Sequence, residues 1–168
     1  MIEIEFKENL EDDFYKLIDD EFNKFALKND VVCNYVPFNF VAKDGEKVIG
    51  IITGHSYYQE VHISDLIVLE QYRHKHIGKK LVEAVEHYYQ GKGFENINLT
   101  TYQFQAPEFY KKCGFEVEFF RENKKEPKLK LSTKSVSIPA LCTLSKVWLP
   151  TTLRGRLSVI PNTTRPPP

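Results

Sequence analysis

The sequence is poor in the residues that mark specialised architectures. Among 168 residues there are three cysteines, one methionine, one tryptophan and eight glycines. Cys33, Cys113 and Cys142 are odd in number and far apart, which fits neither a disulfide framework nor a zinc site. Reduced thiols are expected. No stretch approaches the ~20 consecutive apolar residues that a membrane helix needs, so no membrane partner is expected. The segment 1–13 carries six acidic groups against the single base Lys7, where a secretory signal has a basic patch followed by an apolar run. The expected location is cytoplasmic. Two nucleotide patterns are missing as well. Gly78-Lys79 is followed by Lys80 with no glycine upstream at phosphate-loop spacing, and no Gly-x-Gly-x-x-Gly occurs. Nucleoside triphosphate hydrolysis and dinucleotide binding are thereby disfavoured.

What remains is ordinary globular material, with 42% hydrophobic, 13% aromatic and 27% charged residues, enough to bury one core. The balance of 23 basic and 23 acidic residues hides a division. All the acidic residues precede position 127, so residues 1–132 hold 18 basic against 23 acidic groups, a net −5, and the remainder holds +5. Six of the nine prolines also lie between Pro139 and Pro168. Lys134, Lys146, Arg154, Arg156 and Arg165 are scattered among Leu, Val and Pro, too sparse for the density that nucleic-acid binding usually shows, and no nucleic-acid partner is expected. The composition divides the chain into a domain at 1–134 and a basic, Pro-rich extension at 135–168, disordered or loosely packed.

The order of elements follows from periodicity. Ile2, Ile4 and Phe6 alternate with Glu3 and Glu5, a strand pattern. Asn9 is placed to cap a helix, with Asp12 three residues on, and Phe14, Leu17, Ile18, Phe22 and Phe25 then recur at helical spacing to about residue 27. Residues 38–43 and 47–54 flank Asp44-Gly45, a dipeptide suited to a tight hairpin. Residues 61–69 form a further apolar run, and Ile77, Leu81, Val82, Val85 and Tyr88 make a helix that stops at Gly91. A strand at 96–101, a short helix at 106–112 and a strand at 115–121 follow, with 128–136 as a candidate last strand. This order predicts an α/β (mixed α+β) domain with one mixed sheet, parallel where helices intervene.

Between the third apolar run and its helix, the chain passes through Glu70-Gln71-Tyr72-Arg73-His74-Lys75-His76-Ile77-Gly78-Lys79-Lys80. Free amides and the positive end of the helix dipole make such a turn an anion site, and Arg73, Lys75, Lys79 and Lys80 deepen the potential. The same charges would serve equally to solvate a helix start, and the segment alone leaves both readings open.

Here the sequence resembles the GNAT superfamily of acetyl-CoA-dependent N-acetyltransferases. The family signature Leu-x-Val, then Gln/Arg-x-x-Gly-x-Gly opening a helix, is matched by Leu66-Ile67-Val68 and Arg73-His74-Lys75-His76-Ile77-Gly78. A second signature, Asn-x-x-Ala-x-x-x-Tyr-x-x-x-Gly-Phe, is matched from Gln103 through Ala106 and Tyr110 to Gly114-Phe115. Together with the element order, the resemblance covers roughly residues 1–131. It implies a sheet of six to seven strands flanked by helices, with a V-shaped opening between the strands at 61–69 and 96–101. Acetyl-CoA, as co-substrate, would lay its pantetheine arm against the backbone of Leu66, Ile67 and Val68. Its pyrophosphate would sit on the amides of 74–79, with Arg73, His74, Lys75, His76, Ile77, Gly78, Lys79 and Gln103 as the coenzyme-binding set. An amide near Ile67 or Val68 would polarise the thioester carbonyl. Tyr110 would protonate the departing thiolate, and a primary amine on a small molecule or protein would be the acceptor.

An amine of pKa ~10.4 attacks only when neutral, so a base or a water wire must deprotonate it. Where some relatives place a glutamate, twelve residues before Tyr110, this chain has Asn98. Asp65 is the substitute, with Glu60 or His62 behind it. His76 departs from the signature glycine, His74 from a commonly small residue and Gln103 from asparagine. His76 would either obstruct the pyrophosphate or donate to it. The alternative function is therefore a non-catalytic acyl-CoA-binding or regulatory domain, against which the retained phenol of Tyr110 argues. Histidines 55, 62, 74 and 76 lack cysteine or acidic partners at ligand spacing, so no metal is expected. Residues 28–37 and 55–60 are expected to line the acceptor side, where an acidic body favours cationic substrates. Dimers are common in the family, and no interface is legible in the sequence.

Overall fold

The computed structural model describes residues 2–139. In chain order the elements are α1 (Asp12–Lys28), β1 (Val36–Asp44), β2 (Lys47–Tyr57), β3 (Glu60–Val68), α2 (Ile77–Tyr89), β4 (Asn96–Tyr102), α3 (Pro107–Lys112), β5 (Glu116–Arg121) and β6 (Leu131–Ser137). The strands form one open mixed sheet in the order β1-β2-β3-β4-β6-β5. β1, β2 and β3 are an antiparallel meander, the first turn at Asp44-Gly45 as expected. β3 and β4 are parallel neighbours joined by α2, because a parallel return needs a crossover long enough to span the sheet. β6 enters between β4 and β5 and pairs antiparallel with both.

The core lies on one face. Val61 and Ile63 of β3, Ile97 and Leu99 of β4, and Ile52 and Phe38 meet Leu81, Val82, Val85 and Tyr89 of α2. Each fully buried aliphatic side chain here contributes about 1.5–3 kcal/mol. β2 and β3 approach so closely that a Cβ on Gly54 would lie 2.1 Å from the His62 carbonyl oxygen and 2.5 Å from the Phe38 ring. Only glycine fits.

Two expectations are corrected. Residues 2–6 form no strand, and Ile2, Ile4 and Phe6 are more than nine-tenths exposed. Alternation makes such a segment amphipathic when extended, but a strand also needs an edge to pair with. The first helix begins at Asp12 with Glu11 at its cap and no side-chain capping bond, so Asn9 does not cap it. β6 runs to Ser137, and Ile138 is buried. The rest of the proposed extension, 140–168, lies outside the described residues, as does Cys142. Cys33 and Cys113 are free thiols. Among the described residues no helix is long and apolar enough to cross a membrane.

Candidate active site

The parallel ladder between β3 and β4 is short, running from Glu60 opposite Asn96 to Ile63 opposite Leu99. Beyond it, β3 stays with β2 from Asp65–Thr53 to Val68–Gly50, whereas β4 stays with β6 from Thr100–Thr133 to Tyr102–Leu131. The strands have parted. The local cause is a bulge: Thr53 pairs with Asp65 and Gly54 with Ile63, so Ser64 is an extra residue on β3. Bulges bend the strand that carries them and raise its twist. The result leaves one edge of Leu66, Ile67 and Val68 without a strand partner, facing the gap. Part of that edge is already used, because Arg73 Nε donates to the Val68 carbonyl at 3.1 Å. Arg73 is turned back onto the strand.

Behind the gap the chain tightens into a turn and then α2. Tyr72 N–H donates to the Leu69 carbonyl and Arg73 N–H to that of Glu70, at 2.8 and 3.1 Å. His74 and His76 then both adopt left-handed backbone, φ 61° and 60°. The first helical bond from the turn is Lys80 N–H to the His76 carbonyl at 3.0 Å. The amides of 74–79 have no acceptor among the described residues. A left-handed residue leading into right-handed helix, as His76 leads into α2, curls successive N–H groups into an anion-binding concavity at the helix N-terminus. His76 thus keeps the backbone form that glycine would adopt freely, at a strain of about 1–2 kcal/mol. Both imidazoles are exposed. Lys75 Nζ lies 5.1 Å above the Tyr72 ring, and Lys79 Nζ is 3.6 Å from Glu83, an exposed pair of little energetic weight. A Cβ on Gly78 would meet the Phe109 ring at 3.1 Å, so this glycine sets the spacing of α2 and α3.

α3 delivers Tyr110 to the same opening. Its ring meets Phe109 and Phe115 edge-on at 5.1 and 5.7 Å between centroids. Burial, with smaller contributions from Cys113 and the Asp65 carboxylate, pushes its phenol up to about 12. It is therefore protonated throughout the neutral range and equipped to donate. Asp65 is exposed on β3 and accepts a hydrogen bond from Thr53 Oγ1 at 3.1 Å. Gln103, by contrast, is fixed through its backbone, its N–H donating to Lys130 at 2.8 Å, while its side chain is exposed. The amide that organises this corner is Gln105. Its Oε1 accepts from the Tyr102 N–H at 2.8 Å and from Thr101 Oγ1 at 3.2 Å. Next to the opening, a cavity of about 300 Å³ lies between α2 and the end of α3, lined by Lys79, Val82, Glu83, Glu86 and Cys113 among others. Burial raises both Glu86 and Cys113 there.

The other face of the sheet is polar. Asn98 Oδ1 lies 2.6 Å from His62 Nδ1, and Asn96 and Asn98 both donate to Glu60 at 2.9 Å. His55 stacks between Tyr35 and Tyr57, 5.2 Å from the His62 ring. Burial and the neighbouring His62 lower its pKa. Asn34 clamps the β2–β3 turn by donating to the Tyr58 carbonyl at 2.9 Å and accepting from the Tyr58 N–H. Tyr35, Tyr57 and Tyr58 close a cavity of about 490 Å³ with Asp19 and Phe22 of α1. The segments expected on the acceptor side thus meet around one hollow. Among the described residues no group of three His, Cys, Asp or Glu is placed to hold a metal ion.

The profile of the Acetyltransferase (GNAT) family matches residues 3–115. The chain belongs to this family. No curated protein matches its sequence significantly. Among solved structures, a protein of Agrobacterium tumefaciens provisionally named an acetyltransferase superposes with a TM-score of 0.70 at 18% identity, over 81% of this chain and 99% of its own. An acetyltransferase from Bacillus cereus gives 0.65 at 26% identity, over 79% and 97%. An aminoglycoside 6'-N-acetyltransferase in complex with coenzyme A gives 0.53 at 19% identity, over 61% and 73%.

Proposed function

We propose that this acetyltransferase moves the acetyl group of acetyl-CoA onto a primary amine. The observation that carries the reading is the parting of β3 from β4 beside six amides, 74–79, with no acceptor among the described residues. An elongated thioester with an anionic end fits that combination. The amides of 74–79 would hold its diphosphate, with Lys75 adding charge, and the free edge of Leu66–Val68 would receive the amide-rich arm. Bound there, the coenzyme supplies an activated acetyl group. Tyr110 stands ready to donate a hydrogen bond to the sulfur as negative charge develops on it. With a phenol near 12 and a thiol near ~8.5, donation rather than complete transfer is the favourable contribution until the leaving group departs. Asp65, on the open face, would meet the ammonium of the acceptor.

The cavity closed by Asp19, Tyr35, Tyr57 and Tyr58 suits an amine-bearing acceptor, since aromatic faces and a carboxylate both favour cations. The related aminoglycoside acetyltransferase makes an aminoglycoside a sensible first probe, beside a polyamine and a lysine peptide. The test is release of free thiol from acetyl-CoA against this panel. Acceptor-dependent release supports the proposal. Binding of acetyl-CoA without turnover on any amine would replace it with the non-catalytic acyl-CoA-binding reading, and no binding at millimolar coenzyme would overturn both.

A further inference from the structure

The polar chain on the open face fixes a tautomer. Glu60 receives Asn96 Nδ2 on one carboxylate oxygen and Asn98 Nδ2 on the other. An ionised carboxylate only accepts, so the amide nitrogen of Asn98 points to Glu60 and its Oδ1 is left facing His62, 2.6 Å from Nδ1. An amide oxygen also only accepts. The hydrogen therefore lies on His62 Nδ1, and in the neutral ring the lone pair is on Nε2. No described residue donates to that nitrogen. The Nδ1–H form is held from two strands at once.

Position adds the second half of the argument. His62 pairs with Asn98 one step before the parallel ladder ends at Ile63 and Leu99. Its neighbours Val61 and Ile63 are buried on the core face, so the imidazole stands on the open face at the vertex of the gap. The groups around it are His55 and Tyr57 from β2, Glu60 and Asp65 from β3, and only the neutral Asn96 and Asn98 from β4. His55, lowered by burial and by His62, does not compete for a proton near neutrality.

We infer that His62 is the base that takes the acceptor's proton, with Asn98 and Glu60 as positioning residues that hold its Nε2 lone pair toward the opening. The inference rests on the acetyl-transfer reading above. In the step, an N–H bond of the ammonium breaks and its proton passes to Nε2, giving an imidazolium. The freed nitrogen pair forms the N–C bond to the acetyl carbonyl, the C–S bond breaks, and its electron pair leaves on sulfur under a hydrogen bond from Tyr110, while a second N–H bond breaks and that proton passes to the thiolate. Solvent then takes the proton from His62. An imidazole lies closer to an ammonium in basicity than a carboxylate does, so transfer to it is less uphill. Asp65 keeps the part of holding the ammonium.

Two measurements test this. In the full-length protein labelled with ¹⁵N-histidine, long-range proton–nitrogen correlation should show His62 as the Nδ1–H tautomer, and Asn98→Ala should return it to the commoner Nε2–H form. An Nε2–H ring in the unaltered protein overturns the inference. With an acceptor from the panel, His62→Gln should lower kcat/KM about 10²-fold and abolish the acidic limb of its pH profile. Asn98→Asp, which keeps an acceptor for Nδ1–H and adds negative charge beside the ring, should move that limb to higher pH. A His62→Gln enzyme with its rate and acidic limb intact would overturn the base while leaving acetyl transfer standing. A folded wild-type protein that acetylates no amine would instead remove the transfer reading beneath it.

Discussion

Two helices of this protein carry the same kind of apolar stripe and meet opposite fates. In α1, Phe14, Leu17, Ile18, Phe22 and Phe25 recur at helical spacing, yet Phe22 and Phe25 are 68% and 69% exposed and only Ala26 is buried. In α2, Leu81, Val82, Val85 and Tyr89 are all buried against the sheet. Periodicity decides which face of a helix is apolar, but chain connections decide whether a sheet is there to receive it. α2 joins two parallel neighbours and must lie across them. α1 follows residues 2–6, which form no strand and so anchor nothing.

The contrast is broken most sharply in α2. Leu81→Ala should cost about 2–4 kcal/mol, read as a lowered urea midpoint. Next in size, Tyr110→Phe should lower kcat about 10²-fold with KM for acetyl-CoA little changed, because it removes a donor used only as charge develops on sulfur. An unaltered kcat would strip Tyr110 of that role. Tyr110 also bears on stability. Its raised pKa means that the folded chain holds the phenolic proton more tightly than the unfolded chain. The associated stabilisation is complete below pH ~10 and is lost as pH rises toward about 12. Between pH ~10 and about 12 the wild type should therefore lose stability relative to Tyr110→Phe in alkaline unfolding curves.

A smaller effect is expected at the start of α2. His76→Gly relieves a left-handed residue but loosens the unfolded chain, for a net gain of about 0.5–1 kcal/mol in thermal unfolding. Calorimetry with acetyl-CoA then reports the side chain itself: tighter binding means that the imidazole obstructs the diphosphate, and weaker binding that it donates to it. Smallest of all, Phe22→Ala should change stability by less than about 0.5 kcal/mol. A loss matching that of Leu81→Ala would show that the α1 stripe is packed in solution, and the comparison would fall.

Local signals were legible where the chain solves its own problem. The run from Ile77 to Tyr88 carries the helical period of α2, and Asp44-Gly45 marks the hairpin. The two signature segments lie where strand, turn and helix were expected to meet. Other features had no local signal. Ser64 reads as one more polar residue in a strand, and it becomes a bulge only against Thr53 and Gly54 of β2. Residues 2–6 alternate as a strand should, and nothing in them records the missing partner edge.

From the sequence alone came the family, the order of elements from the first helix onward and the two segments that frame the opening, because these rest on patterns spanning a dozen residues or so. The tertiary structure alone decided that β3 leaves β4 after four pairs, that Tyr110 lies close enough to Asp65 to feel its charge, and that Glu60 orients Asn98 toward His62. Those contacts join residues some forty positions apart. Hydrogen bonds and charges act over a few ångströms of space, and a linear pattern carries no measure of that distance until the sheet has closed it.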